Sequence, residues 1–274
     1  MNKSKRKTLG AVGLTLGLVA LMLMLILTSV HNVGTDAARY HELQTAAGVL
    51  PGAGISDDDL RALDGALAGY LAGRPDELMT PSESAPGEYD LLALNVNGEL
   101  QPAFNDRETA HLEDCRRLFE LLRKVRRRLV PWAVLLIVGG AYLLSDRRRA
   151  RRSALLSPLI LLIPLGAFAL WAACDFDAAF TCFHRVLFTN DLWLLDPATD
   201  LLIRICPEGL FMGLGRDIGL RALAILAGVP LAAAGLTLIW PKSKTNEANP
   251  WKDRRATRRA AAQRPKTFDV GGKR

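Results

Sequence analysis

The sequence predicts an all-α membrane protein: four transmembrane helices, with a larger and a smaller extracytoplasmic segment. Three observations predict it. Four long runs carry no charge, over residues 9–30, 129–144, 154–173 and 222–240. The positive charge collects in three short segments outside those runs. These segments alternate with the runs so that both termini fall on one side of a membrane.

A spanning helix needs about 20 mostly apolar residues, because it rises ~1.5 Å per residue through hydrocarbon roughly 30 Å thick. The first, third and fourth runs meet that need. The second must borrow length from its flanks. Pro158, Pro164 and Pro230 would be costly in soluble helices, but neighbouring helices can re-satisfy the freed carbonyls in a bundle. The first run follows a basic start, yet it is too long for the core of a signal peptide and no A-x-A site follows it, so it is expected to remain as an anchor. The expected layout is a cytoplasmic start (1–8), a first span (9–30), an outer segment (31–128), a second span (129–144) and a basic cytoplasmic loop (145–153). A third span (154–173), a second outer segment (174–216), a fourth span (217–240) and a basic cytoplasmic tail (241–274) complete it.

The net charge of +7 is divided by side. Segments 1–8, 145–153 and 241–274 carry +4, +4 and +8, which leaves the remainder at −9. Basic loops stay in the cytoplasm, so this division sets the orientation. The basic tail needs no nucleic-acid partner to explain it, and no nucleotide-binding glycine motif is present. The four cysteines, Cys115, Cys174, Cys182 and Cys206, fall on or near the outer side with no metal-motif spacing, which leaves a disulfide open.

Within the larger outer segment, Ser56 followed by Asp57, Asp58 and Asp59 reads as a helix N-cap with an acidic first turn, ending at Gly73 and Pro75. Residues 80–87 read as a loop, and residues 92–96 before Asn97-Gly98 as a strand and turn. A second helix starts near Asn105 or Asp106 and runs into the second span. On it, His111, Cys115, Leu118, Leu122, Val125 and Leu129 form one stripe. Arg116, Arg117, Arg123, Lys124, Arg126, Arg127 and Arg128 lie mostly off that stripe, on the side where the charge rule expects few cations. A helix lying on the bilayer surface and bent near Pro131 would take these arginines to lipid phosphates, with His111 at headgroup depth.

Few residues are equipped for chemistry. His111 has Glu108 and Asp114 three residues away on either side, a spacing that shares a helix face. A carboxylate beside an imidazole suits a general base, and it equally suits a partly buried structural histidine. His184 shares a face with Asp177 and Phe180, among phenylalanines at helical spacing that suit a membrane interface. Trp193 suits an interfacial anchor. Asp196 before Pro197 suits a helix cap, and Glu208 suits a cap or a pair with Arg216. His31 and His41, flanking the outer end of the first span, are assigned structural roles.

At these residues the sequence resembles a known family. Phe183-His184, Phe188, Trp193, Asp196-Pro197, Asp200, Leu202-Ile203, Pro207-Glu208 and Phe211 look like one motif of the Lit family of bacterial integral membrane proteins, the lipoprotein intramolecular transacylases. Glu108, His111, Leu112 and Asp114 resemble its other motif, E-x-x-H-[ML]-x-D. Cys115 departs from the pattern, standing where the family commonly has an aliphatic residue, and the basic tail is an extension. The resemblance implies a diacylglyceryl-modified lipoprotein substrate with a free α-amine on its N-terminal cysteine. It implies transfer of the sn-2 acyl chain to that amine, giving a lyso-form lipoprotein, with His111 and His184 as the catalytic pair. Glu108, Asp114, Asp177, Trp193, Asp196, Asp200 and Glu208 are the expected supporting residues. His184 is read as the base, oriented by a nearby carboxylate, with the reverse assignment open.

No cofactor and no metal are expected, and the partners are lipoproteins and membrane lipids, without nucleic acid. Two other classes compete. A metal-dependent membrane hydrolase would use the histidines and carboxylates as ligands, but no H-E-x-x-H or similar spacing occurs. A membrane scaffold or sensor would draw on the large acidic outer segment. Histidine-to-glutamine changes separate them: a scaffold tolerates both, a transacylase neither, and a metalloenzyme also fails in chelators.

Overall fold

A computed structural model describes residues 2–74, 78–81, 89–144 and 146–239. The basic tail and most of the loop read over 80–87 lie outside the described residues. In chain order the elements begin with α1 (Lys3–Val33), α2 (Ala37–Ala46), α3 (Leu50–Ala53) and α4 (Asp57–Ala72). Four short strands follow, β1 (Met79–Pro81), β2 (Tyr89–Leu91), β3 (Ala93–Val96) and β4 (Glu99–Pro102). Then come α5 (Asp106–Leu143), α6 (Arg147–Leu156) and α7 (Leu159–Cys174). The last are α8 (Phe176–Leu187), α9 (Leu201–Ile205) and α10 (Glu208–Ile239).

The apolar runs build a bundle centred on α1. Gly10, Gly13 and Gly17 share one face of α1 and let α5 approach backbone to backbone. A Cβ on Gly17 would stand 2.7 Å from the amide nitrogen of Ile137, and one on Gly10 2.8 Å from that of Leu144. Gly140 answers from α5, against the backbone of Leu14. Small residues allow this close packing where lipid removes the hydrophobic drive for helices to associate. Leu14 and Leu18 pack with Leu144, Ala150, Ala154 and Ala234, and Met22 and Ile26 with Ala222 and Leu226. The α7 helix has no buried residue, so its leucines, phenylalanine and tryptophan present an apolar surface outward.

Among the described residues, three segments are long and apolar enough to cross a membrane: Lys3–Val33, Arg147–Cys174 and Glu208–Ile239. The run expected as the second of four spans is the C-terminal part of the 38-residue α5. Its own apolar stretch is short, and Arg126, Arg127 and Arg128 stand directly before it. Two expectations change. Residues read as a basic loop form most of α6, capped by Asp146, whose carboxylate accepts from the amides of Arg148 and Arg149. In addition, α5 does not bend to lie flat. It is continuous through Pro131, and α1 packs along it from Gly140 back to Phe119, which meets both His31 and Gly34 at the end of α1. Arg123 accordingly donates to the carbonyl of Leu71 at 2.8 Å, satisfying the C-terminal end of α4.

The polar end of the molecule holds a second core. Leu60, Leu63 and Leu67 of α4 meet Leu94 and Val96 of β3, Phe104 just before α5, Leu112 of α5, and Leu201, Leu202 and Ile205 of α9. Burying each such side chain is worth about 2 kcal/mol. The α4 helix starts at Ser56, whose hydroxyl accepts from the amide of Asp59, and stops at Gly73 with φ 98°. The expected strand and turn are present as the antiparallel pair β3–β4. Asn97 and Gly98 both have positive φ, the requirement of the tight turn that matches strand twist. With the further pair β1–β2, the fold is mostly helical rather than all-α. Arg39 of α2 pairs with Asp217 of α10 at 2.7 Å and fastens this end to the bundle.

Candidate active site

The site forms where the first turns of α5 meet α8 and the connection after it. Asn105 and Glu108 make a capping box at the start of α5, each side chain taking the other residue's backbone amide. His111 stands one turn further in. It lies two turns beyond Phe119, about 12 Å past the end of α1. From α8, His184 reaches the same place. The two rings have centroids 6.0 Å apart, and both residues are 7% exposed.

Aromatic rings surround the pair. Trp193 stacks on His184 at 5.0 Å and 29°, and Phe180 approaches it to 4.0 Å. Phe188 lies edge-on to His111 at 5.1 Å and parallel to His184 at 5.6 Å. The indole N–H of Trp193 donates to the carbonyl of Asn190 at 3.0 Å, which fixes the stacked ring. Among the described residues, no carboxylate pairs with either imidazole. Nδ1 of His184 bonds to the carbonyl of Phe180 at 2.8 Å, one helical turn back. Nε2 of His111 faces the sulfur of Cys115 at 3.6 Å, and its Nδ1 is buried without a partner among the described residues.

This environment keeps both rings neutral. Burial drives His111 down to about 4, helped by the neighbouring His184 and opposed by Asp114. Burial also lowers His184, against the Phe180 carbonyl, which favours its charged form. Two neutral imidazoles side by side, tilted 38° to each other, offer lone pairs and N–H donors at neutral pH, which is what proton transfer to and from a reacting group requires. Among the described residues, no three His, Cys, Asp or Glu side chains converge as a metal ion would need.

The profile of the family described as lipoprotein intramolecular transacylase Lit matches residues 15–211, from within α1 to the start of α10. The chain belongs to the Lit family. Solved structures agree on the fold. The membrane integral lipoprotein intramolecular transacylase Lit from Bacillus cereus is 18% identical, with 93% of this chain and 98% of that chain covered and a TM-score of 0.51. A histidine-to-alanine variant of the same protein gives 18%, 93%, 96% and 0.51, and a histidine-to-arginine variant 19%, 93%, 94% and 0.52. Among curated proteins none matches by sequence. Three membrane-length apolar helices and membership of a membrane-integral family make this Lit-family chain a membrane protein.

The other expected residues of the Lit-family chain divide into two groups. Glu108 is 2% exposed and works on the backbone: Oε1 accepts from the amide of Leu202 at 2.6 Å, and Oε2 from that of Asn105 at 2.8 Å. Asp200 accepts from Asn105 and Thr199 and from the amide of Asp196, so it locks α9 to the start of α5. Asp196 caps a turn, accepting from the amide of Ala198, while the cap of α9 is Asp200. Asp114 lines a cleft of about 210 Å³ with Leu118, Leu121 and Phe188, and its carboxylate takes the amide of Asn190. Trp193 is buried on His184, not projecting as an interfacial anchor. Two residues do not join. Asp177 lines a separate shallow depression on α8 with Thr181 and Arg185. Glu208 is exposed in the first turn of α10, and the partner of Arg216 is Asp217. The carboxylate expected to orient His184 is thus replaced by the Phe180 carbonyl.

Sequence reasoning missed Asn105 and Asn190. Asn105 was legible as the first letter of an N-x-x-E capping box. Asn190 carried the weaker signal of a turn, which it makes by accepting from the amide of Leu192. All four cysteines are free thiols.

Proposed function

We propose that this chain is a lipoprotein intramolecular transacylase, moving the sn-2 acyl chain of a diacylglyceryl lipoprotein to the α-amine of its N-terminal cysteine. The observation that carries the reading is the hydrogen bond between His184 and Phe180. A carbonyl only accepts, so Nδ1 bears the proton, and a neutral ring keeps its lone pair on Nε2. That lone pair is the base. It takes the proton of the α-amine as nitrogen attacks the sn-2 ester carbon and a C–N bond forms. The carbonyl oxygen becomes an oxyanion, which an N–H of His111 stabilises. The tetrahedral centre then expels the glyceryl oxygen, the C–O bond breaks, and the His184 imidazolium returns its proton to that oxygen. Amine and ester belong to one molecule, so the substrate itself supplies most of the proximity and no side-chain nucleophile is needed.

In this reading the polar end faces outward and His111 and His184 work above the outer leaflet. Both termini and the arginines of α6 remain in the cytoplasm, and residues 129–144 form the second of the four spans. Arg126, Arg127 and Arg128 then lie at the outer headgroups, where long side chains reach phosphates. With the four native cysteines replaced, a cysteine at Leu100 should label with an impermeant thiol reagent in intact cells, and one at Arg152 should not.

Mass spectrometry of lipoprotein N-terminal peptides tests the reaction. In cells expressing the chain, a diacylglyceryl peptide with a free amine should become a species of unchanged mass with one acyl chain on nitrogen. A gain of one acyl mass would point to an external phospholipid donor. No change in any lipoprotein would leave the scaffold reading ahead.

A further inference from the structure

We propose that Cys115 is a positioning residue: its thiol donates to Nε2 of His111 and holds that imidazole in the tautomer whose Nδ1–H is free to meet the oxyanion. The inference rests on the transacylase reading for its purpose, but not for its geometry. Cys115 lies one turn after His111 on α5, and Sγ stands 3.6 Å from Nε2, within reach of a sulfur hydrogen bond. On the other side of the ring, Nδ1 is buried and has no partner among the described residues, in a histidine only 7% exposed. A neutral imidazole has one proton to place. If the thiol fills Nε2, the proton must be on Nδ1, and the ring presents a donor that nothing in the resting protein uses.

The surroundings support this division. Burial holds the Cys115 thiol up at about 12, with Asp114 adding to the effect, so sulfur keeps its proton and remains a donor. It is thereby a poor nucleophile, since reaction at cysteine proceeds through the thiolate. The two imidazoles then have opposite duties. The Phe180 carbonyl gives His184 a free lone pair, and the Cys115 thiol gives His111 a free N–H.

The test uses the full-length protein in detergent with Cys115→Ser and Cys115→Val. Nitrogen-15 spectra of labelled histidine, with His111 assigned by its loss in His111→Gln, should show Nδ1 protonated in the parent and in Cys115→Ser. Cys115→Val should shift His111 toward the other tautomer. With a diacylglyceryl lipopeptide, Cys115→Val should lower kcat about threefold to tenfold at unchanged KM, and Cys115→Ser should stay within about twofold of the parent, the size expected of one weak hydrogen bond. A packing role predicts the reverse order, because valine keeps an apolar side chain against its neighbours and serine places a hydroxyl there. An unchanged tautomer in Cys115→Val overturns the proposal. So does loss of activity in both variants together with an acyl thioester trapped on the parent, which would make Cys115 an acyl carrier. If the parent itself transfers no acyl chain, the functional reading fails, and the spectra alone still decide the role of Cys115.

Discussion

Two buried histidine clusters stand in the polar end of this protein, and their neighbours give them opposite characters. His41 lies between two carboxylates, with Nε2 3.2 Å from Asp57 and Nδ1 3.4 Å from Asp64. Both acids stand within ion-pair distance of the ring and hold α2 against α4, although Nδ1 of His41 and the Asp64 carboxylate make no hydrogen bond among the described residues. His111 and His184 have each other, four aromatic rings, one carbonyl and one thiol. An imidazole between acids is a bracket. An imidazole kept from acids and from water keeps a lone pair or an N–H unspent, and that is the one able to move protons. A carboxylate near a histidine in sequence is therefore a weak sign of catalysis: Glu108 and Asp114 flank His111, yet they bind the amides of Leu202 and Asn105 and the side chain of Asn190 instead.

The sharpest way to break the comparison is to neutralise each cluster. His111→Gln and His184→Gln should each reduce acyl transfer by at least about 100-fold, the lower range for general acid–base groups. The protein should remain in the membrane. His41→Gln should leave kcat within about twofold and lower thermal stability. A large loss of kcat in His41→Gln at normal folding would mean that the bracket takes part in the reaction.

Glu108→Gln comes next. The carboxylate accepts two backbone amides, and the charge strengthens both bonds. Glutamine keeps one acceptor and turns a donor toward an amide. A cost of about 1–3 kcal/mol is expected, with the His111 titration unmoved. A shift of that titration would show that Glu108 acts on the imidazole after all.

Much of the fold was legible because it rests on local patterns. The apolar runs, the Ser56 cap and the Asn97-Gly98 turn each announce themselves within a few residues. The pairing of His111 with His184 came from a resemblance to family motifs, since the two residues lie on helices that meet only in space. What stayed hidden were contacts whose partners are backbone atoms. The Phe180 carbonyl that orients His184 has no side-chain signature, and Arg123 looked like a lipid ligand until the end of α4 appeared beside it. The flat placement of α5 failed for a similar reason: the stripe on one helix does not reveal whether lipid or another helix covers it.

The two clusters should also tilt the pH dependence of stability in opposite directions. His111 is depressed to about 4, so the unfolded chain, with an ordinary value near 6.5, binds more protons across that window. Its contribution is present above 6.5 and is lost as pH falls toward 4. Asp64 is the reverse: burial raises it to about 7. Its contribution is present below the unfolded carboxylate value near 4 and is lost as pH rises through 7. Asp64→Asn should therefore melt higher than the parent at pH 8 by roughly a few degrees, with the gain shrinking toward pH 4. His111→Gln should gain over the parent toward pH 4 instead. Melting curves of both variants across pH check the signs, and gains on the same side would end the contrast.

The smallest effect belongs to the outer edge of the bracket. Arg61 donates to Asp57 at 2.9 Å, one turn apart on α4, and both side chains are well exposed. Water and salt screen such a pair, and an i, i+4 contact of this kind is worth only about 0.3–0.5 kcal/mol. Asp57 keeps His41 when Arg61 is removed, so the bracket stays closed. Arg61→Gln should shift melting by no more than about 2 °C and leave kcat unchanged. Arg123→Gln should cost more, because it strips a half-buried helix end of the donor to the Leu71 carbonyl. If the two changes cost the same, Arg123 is not fastening α4, and the upright packing of α5 against this cluster contributes less than its geometry implies.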